Sequence, residues 1–370
     1  MATFLPFVRA VGGLLAAGLL LSSCAGTPKA APGSAPTSTE PGRAAGRTTE
    51  KIAVLGAGDV LVHPQVWQQA DRDGGFAPMF AGVGAAVSGA DLALCHLETP
   101  LAAAGGPYLG WPRFSTPPGV LDGIRAAGYD GCSTASNHSF DQGERGILRT
   151  IAAMDAAGLG HAGTAARQAD AGRARFYDVH GVRVAHLAAT ATFNGIRPPD
   201  GKAWLAQRID PAALLAQARQ ARQAGADLVV VSLHWGTEYR HQPDRAQLDW
   251  ARRLSGGEID LVLGHHAHVV QPVRRIGKTW FAFGLGNQLA RHADPRPETR
   301  EGLMVRVTFA RQAGRWGVER VEALPTWVEI TPRIRLVDLR TALTDGALSA
   351  ERRREYQAAL ERVLGYAELP

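Results

Sequence analysis

The chain reads as an α/β protein containing a mixed sheet, on three observations. From Lys51 onward short apolar runs alternate with helix-period segments, the pattern of strands joined by helices. Residues 176–179 and 182–187 flank His180-Gly181, a tight-hairpin signal that makes part of the sheet antiparallel. Polar residues able to bind a cation recur just beyond the apolar runs, where open α/β sheets hold their ligands.

The elements follow in order. Residues 52–55 form a first strand running into Gly56-Ala57-Gly58-Asp59, and residues 92–95 a second leading to His96-Leu97-Glu98. A helix over 119–127 precedes a strand at 129–133, which delivers Ser136-Asn137-His138. The helix 144–157 carries Ile147, Leu148, Ile151 and Met154 at helical spacing. A long helix over 211–224 opens with Pro211 after Asp210, as a helix N-terminus should. Strands at 228–233, 259–263 and 280–283 end in His234-Trp235-Gly236, in Gly264-His265-His266-Ala267-His268 and in Gly284-Leu285-Gly286-Asn287. Residues 303–309 and 318–322 close as an antiparallel pair, and 350–364 as a terminal helix. The folded domain is therefore expected over 51–333, with a helical extension over 334–370.

The amino terminus reads as a targeting segment. Arg9 precedes an apolar stretch at 11–21 that is too short to span a bilayer. It ends in Leu21-Ser22-Ser23-Cys24, which resembles a bacterial lipobox. Residues 1–23 are then a lipoprotein signal peptide, and Cys24 is the lipidation site. A lipid anchor holds the protein on an extracytoplasmic membrane face without crossing it. Residues 24–50, rich in Ala, Pro, Gly, Ser and Thr, read as a flexible tether. Cys95 and Cys132 are buried thiols or a single disulfide, the latter suited to an oxidising compartment.

Composition narrows the partners. Of 370 residues 45% are hydrophobic and 20% charged, an ordinary globular balance. The formal net charge of +6 is spread over scattered arginines with no run of five basic residues, so nucleic acid is not an expected partner. A diffuse positive field suits an anionic polymer or a phosphorylated precursor.

Three histidines fall within the five residues 264–268, although the whole chain has only 12. Imidazole is the commonest neutral metal ligand at physiological pH. Together with Asp59, Glu98, Asn137 and His234, residues His266 and His268 offer a mixture of imidazole, carboxylate and amide oxygen that suits Mn, Fe or Zn. One or two such ions would clamp a phosphoryl oxygen and acidify a water for in-line attack. Asp59 or Glu98 is the candidate bridging carboxylate, and His138 the candidate general acid. His96, Glu238, His265 and Asn287 are expected behind the ligands or facing substrate. Trp235 reads as packing, and His63, His161, His180, His186, His241 and His292 as surface or satisfied core residues.

At this point the motifs carry a family resemblance. Gly58-Asp59, Leu97-Glu98-Thr99-Pro100, Ser136-Asn137-His138 with Asp141 and Gly143, His234-Trp235-Gly236 with Glu238, the 264–268 cluster and Gly284-Leu285-Gly286-Asn287 together resemble the CapA capsule synthesis family of poly-γ-glutamate capsules. That family is itself similar to the calcineurin-like metallophosphoesterases. The resemblance implies a four-layer α-β-β-α sandwich of two mixed sheets flanked by helices. It also implies Asp59, Glu98, Asn137, His234, His266 and His268 as metal ligands, with Asp59 and His138 in the chemistry. Four departures stand out. Asp59 is followed by Val60 and Leu61, not by the histidine of an Asp-x-His opening, and the nearest histidine is His63. Glu98 replaces an Asp motif, His96 stands where Asn is usual, and Ala267 where Pro is common. Two functions remain open on this reading. One is a membrane-anchored, metal-dependent phosphoesterase-type hydrolase acting on an envelope polymer or its precursor. The other is a non-catalytic accessory lipoprotein that binds an anionic polymer or docks a capsule synthase.

Overall fold

The computed structural model describes residues 51–292 and 296–369. The expected signal peptide, the expected lipidation site Cys24 and the expected tether lie outside them. Strands β1 (Lys51–Leu61), β2 (Leu92–Leu97), β3 (Gly131–Ser133) and β4 (Gly160–Ala162) are the parallel part of a first sheet. Strands β5 (Arg175–Val179), β6 (Val182–Thr190), β7 (Leu228–His234), β8 (Leu261–His265), β9 (Val273–Ile276) and β10 (Thr279–Ala282) form a second, in the order β5-β6-β7-β8-β10-β9. The chain then returns to the first sheet with β11 (Asn287–Ala290), β12 (Glu301–Gln312), β13 (Arg315–Glu329) and β14 (Arg335–Asp338). The order there is β14-β13-β12-β1-β2-β3-β4, with β11 paired to the end of β1.

Both sheets are mixed, and burial separates four layers. Ile52, Val54, Leu92 and Leu94 of the first sheet pack against Val184, Val230, Leu261 and Leu263 of the second. The outer face of the first sheet, through Leu55, Ala93 and Cys95, meets Phe80, Val120, Ile124 and Met154 of the helical segments. The outer face of the second, through Leu187, Val231 and Phe281, meets Leu214 and Ala218 of helix Pro211–Gln223 and Ala251 of helix Arg245–Leu254. Period-2 alternation along each strand sends odd and even residues to these opposite layers. The expected α-β-β-α sandwich is what the chain forms.

Local chemistry explains the joints. His180 and Gly181 both have positive φ, 51° and 82°, the backbone of a two-residue hairpin turn. Asp210 caps its helix by accepting from Ala212 N at 2.9 Å. Helix Arg245–Leu254 was not read from the sequence, yet it opens with a capping box between Asp244 and Gln247. Cys95 and Cys132, partners in the β2–β3 register, form a disulfide. The segment from residue 334 is not purely a helical extension. Its first residues form β14, which pairs with β13, before helix Ala350–Ala367 packs Tyr356 and Ala359 against Trp327 and Val337. A four-residue strand is too short to show a period in sequence.

Candidate metal centre

Register alone assembles much of the site. Ser133, His96, Asp59 and Asn287 are successive Cα partners across β3, β2, β1 and β11 of the first sheet. His234 and His265 are partners across β7 and β8 of the second. Apart from Asn287, which opens β11, the rows lie at or near the carboxyl ends of parallel strands, and the two meet. Glycine permits the close approach: a Cβ on Gly264 would strike the backbone carbonyl of Phe283, and one on Gly58 the carbonyl of Gly286.

Asp59 is fully buried. Its carboxylate meets His265 Nδ1 at 3.2 Å, the backbone N–H of His266 at 3.0 Å and His268 Nδ1 at 3.3 Å. Burial opposes ionisation, but the hydrogen bonds from His265 and His268 outweigh it and hold the Asp59 carboxyl well below the usual range. Glu98 is the opposite case. It is 1% exposed, and neither carboxylate oxygen has a hydrogen-bond partner. Burial drives its carboxyl well above the usual range, against the pull of His268.

Imidazoles surround that orphaned carboxylate. His234 Nε2 lies 4.0 Å and His268 Nε2 3.9 Å from Glu98 Oε1. His234 Nε2 is also 3.0 Å from Asn137 Oδ1. An unpaired buried carboxylate costs several kcal/mol or more, and a bound cation removes that cost. The residues therefore fit a divalent cation among Glu98, Asp59, Asn137, His234 and His268. Asp59, His96 and Glu98 bring ligand atoms within 4.8 Å of one another, and so do Glu238, His266 and His268.

Burial, reinforced by neighbouring imidazoles, pushes His96 and His234 well below the usual histidine range, and His266 down to about 4. They are held neutral, the form that ligates. Burial also acts to lower His268, but Glu98 and Asp59 raise it to about 9.

His96 has both ring nitrogens engaged, Nδ1 with Ser133 Oγ at 2.7 Å and Nε2 with His234 Nδ1 at 2.9 Å. It stands behind His234. His265 also lies inside, stacked on His96 with ring centroids 4.2 Å apart, so its substrate-facing option is not met. Asn287 Oδ1 lies 3.0 Å from His268 Nδ1, and its amide donates to Thr299 O at 2.8 Å. Trp235 is core, donating to Phe283 O at 2.9 Å.

A cleft of about 370 Å³ opens beside these residues, lined by Asn137, His138, Glu238 and His268. His138 Nδ1 is 2.7 Å from Asp141 Oδ2, which also accepts from Phe114 N at 2.7 Å. Sequence reasoning missed His63 and His292, which line the same cleft with ring centroids 5.0 Å apart. His63 Nδ1 lies 3.1 Å from Leu61 O. Only its position four residues after Asp59 hinted at the cleft.

The family described as bacterial capsule synthesis protein PGA_cap matches residues 53–292, well over half of the chain. A capsule biosynthesis protein CapA of Bacillus anthracis is 32% identical over 173 residues, 45% of this chain and 42% of that one. A PGA biosynthesis protein CapA of Bacillus subtilis (strain 168) is 29% identical over 209 residues, 54% of this chain and 51% of that one. The matches thus span about half the length of these curated relatives. Among solved structures, the calcineurin-like phosphoesterase YfkN from Bacillus subtilis is similar at a TM-score of 0.49 and 15% identity, covering 86% of this chain and 99% of that one.

Proposed function

The chain belongs to the bacterial capsule synthesis protein PGA_cap family, and we propose that within it the chain is a divalent-metal phosphoesterase-type hydrolase serving the synthesis of an anionic capsule polymer. The observation that carries this reading is Glu98. A buried carboxylate with two unpartnered oxygens, ringed by His234, His268 and Asn137, is a cation site beside an open cleft.

One or two ions of Mn, Fe or Zn fit the donor set. A divalent cation held there supplies Lewis acidity toward a phosphoryl oxygen and an acidified water. The protein's own groups do the rest. Asp59, Asn137, His234, His266 and His268 would hold the ion around Glu98. Asp141 engages His138 Nδ1, which leaves Nε2 to carry a proton to the leaving oxygen. Arg113 at the cleft edge adds positive charge for an anionic substrate.

A relative named as a PGA biosynthesis protein supports that polymer as the substrate class, and a phosphorylated precursor of it suits the phosphoesterase-type chemistry. Lipid anchoring through Cys24 on an extracytoplasmic face belongs to the same proposal. The Cys95–Cys132 disulfide supports it, since such bonds persist in oxidising compartments.

The test is hydrolysis of a generic aryl phosphate by the purified chain with added Mn²⁺ or Zn²⁺. Turnover that is lost in His138→Ala supports the reading, and a protein that binds no metal and stays inert overturns it. Full restoration of polymer production by His138→Ala in a deletion strain favours the accessory role instead. Radiolabelled fatty acid should enter the wild type and not Cys24→Ser.

A further inference from the structure

The loop that follows β6 builds a second hollow against the cleft. Asn194 and Gly195, both at positive φ (50° and 75°), turn the chain at its tip. Ile196 comes next and lines two spaces, the cleft and a neighbouring hollow of about 400 Å³. Arg197 and Arg208 are exposed at this hollow, and none of the described residues lining it is a carboxylate. We propose that the hollow is a binding subsite for carboxylate-bearing units of a γ-linked polyglutamate chain, gripped by Arg197 and Arg208 above Phe193 and Ile196. This rests on the anionic-polymer part of the reading above.

Three observations carry it. The two guanidinium charges are not neutralised. Among the described residues neither Arg197 nor Arg208 meets a carboxylate; Arg208 donates to Ala191 O at 2.8 Å and lies 5.9 Å from the centre of the Phe193 ring. The floor is apolar, because Phe193 and Ile196 rest on a small separate core of Phe140, Ile147 and Leu205. The hollow is also held in shape before any ligand arrives. Lys202 Nζ bonds the Glu144 carboxylate at 2.7 Å, Gln207 N donates to Gly163 O at 2.9 Å, and Ala165 N donates to Leu205 O at 3.0 Å. A site already ordered loses little affinity to loop entropy.

The chemistry of the occupant follows from that combination. A γ-linked glutamate chain repeats a free carboxylate and a pair of methylenes. Guanidinium forks take the carboxylates, and the apolar floor takes the methylenes. A polyphosphate offers the charge without the apolar stem. Another hollow, of about 440 Å³, opens beyond Trp204 with Arg173 exposed in it. Asp155 and Asp170 line that one too, and Asp170 pairs with both Arg167 at 2.7 Å and Arg173 at 3.5 Å. Acid set beside base leaves it outside the subsite.

The experiment is binding of end-labelled poly-γ-glutamate to the metal-free full chain, followed by fluorescence anisotropy at low salt. The wild type should bind. The double variant Arg197→Ala, Arg208→Ala should bind about fivefold more weakly or worse, and Arg197→Lys with Arg208→Lys should lose less. Arg173→Ala should match the wild type. Thermal midpoints of all variants should stay together, since the side chains are exposed. Polyphosphate of equal charge should compete at least tenfold less well than unlabelled polymer. Unchanged affinity in the double alanine variant overturns the proposal, as does an equal loss in Arg173→Ala or equal competition by polyphosphate. No turnover is read, so the two readings fail separately. An inert chain that binds the polymer at these arginines sinks the hydrolase and keeps the subsite. An active phosphoesterase whose wild type binds no polymer sinks the subsite alone.

Discussion

His96 and His234 meet imidazole to imidazole, Nε2 of the first 2.9 Å from Nδ1 of the second, and join the two sheets at the candidate metal centre. With His96 donating from Nδ1 to Ser133 Oγ, its Nε2 accepts from His234 Nδ1–H, and the His234 Nε2 lone pair faces Glu98 and Asn137. Partners that fix a ligand's tautomer are typically worth ~10–100-fold in metal affinity. His96→Asn should therefore weaken Mn²⁺ binding by about that factor, read by calorimetry. An unchanged constant would show that His234 is held without it.

His138 should separate chemistry from metal binding. General acids contribute ~10²–10⁴-fold, so His138→Ala should lower kcat on an aryl phosphate by about that factor and leave metal content intact. Asp141→Asn removes the charged partner at 2.7 Å and should move the rate in the same direction by less. Metal lost along with the rate would move His138 into the ligand set.

Acid should unfold the protein partly through His186. This residue is fully buried on β6, its Nε2 2.9 Å from Ser232 Oγ. Burial, then the charge of His265, lowers its pKa to about 3. The unfolded chain takes up that proton near ~6.5 and the folded one does not, so stability falls as pH drops from ~6.5 toward 3. Each pH unit in the window costs up to ~1.4 kcal/mol. His186→Gln keeps a donor for Ser232 and does not titrate. Its urea midpoint should fall less steeply from pH 6 to 4, whereas curves parallel to the wild type would exclude His186 as a contributor.

The disulfide closes 37 residues of chain. By chain entropy such a link is worth about 4 kcal/mol, within a measured range of ~0–5. The double variant Cys95→Ala, Cys132→Ala should lower the urea midpoint accordingly, and a reducing agent should do the same to the wild type but not to the variant.

Much of this site was legible because its ligands sit where strands stop. Asp59, Asn137, His234 and the 264–268 cluster each follow an apolar run, and a strand places such residues at its edge whatever the tertiary fold. What joins them across sheets carries no local signal. Nothing near His96 in sequence announces His234, 138 residues away. Glu238 was legible only as a residue behind the ligands or facing substrate, because its place beside His266 depends on a loop tied through Tyr239 N and Ala267 O. His63 and His292 were passed over because the cleft they line is made by chain segments far apart in sequence.

The crossing of the chain from β10 back to β11 has a consequence for assembly. Asp59, Glu98 and Asn137 come from the early half of the chain, His234, His266 and His268 from the later one, and Asn287 arrives only with β11. A cation held jointly by Glu98 and Asn137 on one side and by His234 and His268 on the other would act as a rivet between two jaws. Its loading would then be a late event of maturation. A chain cut anywhere before Asn287 has no finished cradle to fill, and hydrogen exchange at β1 and β8 should slow in concert when the metal arrives.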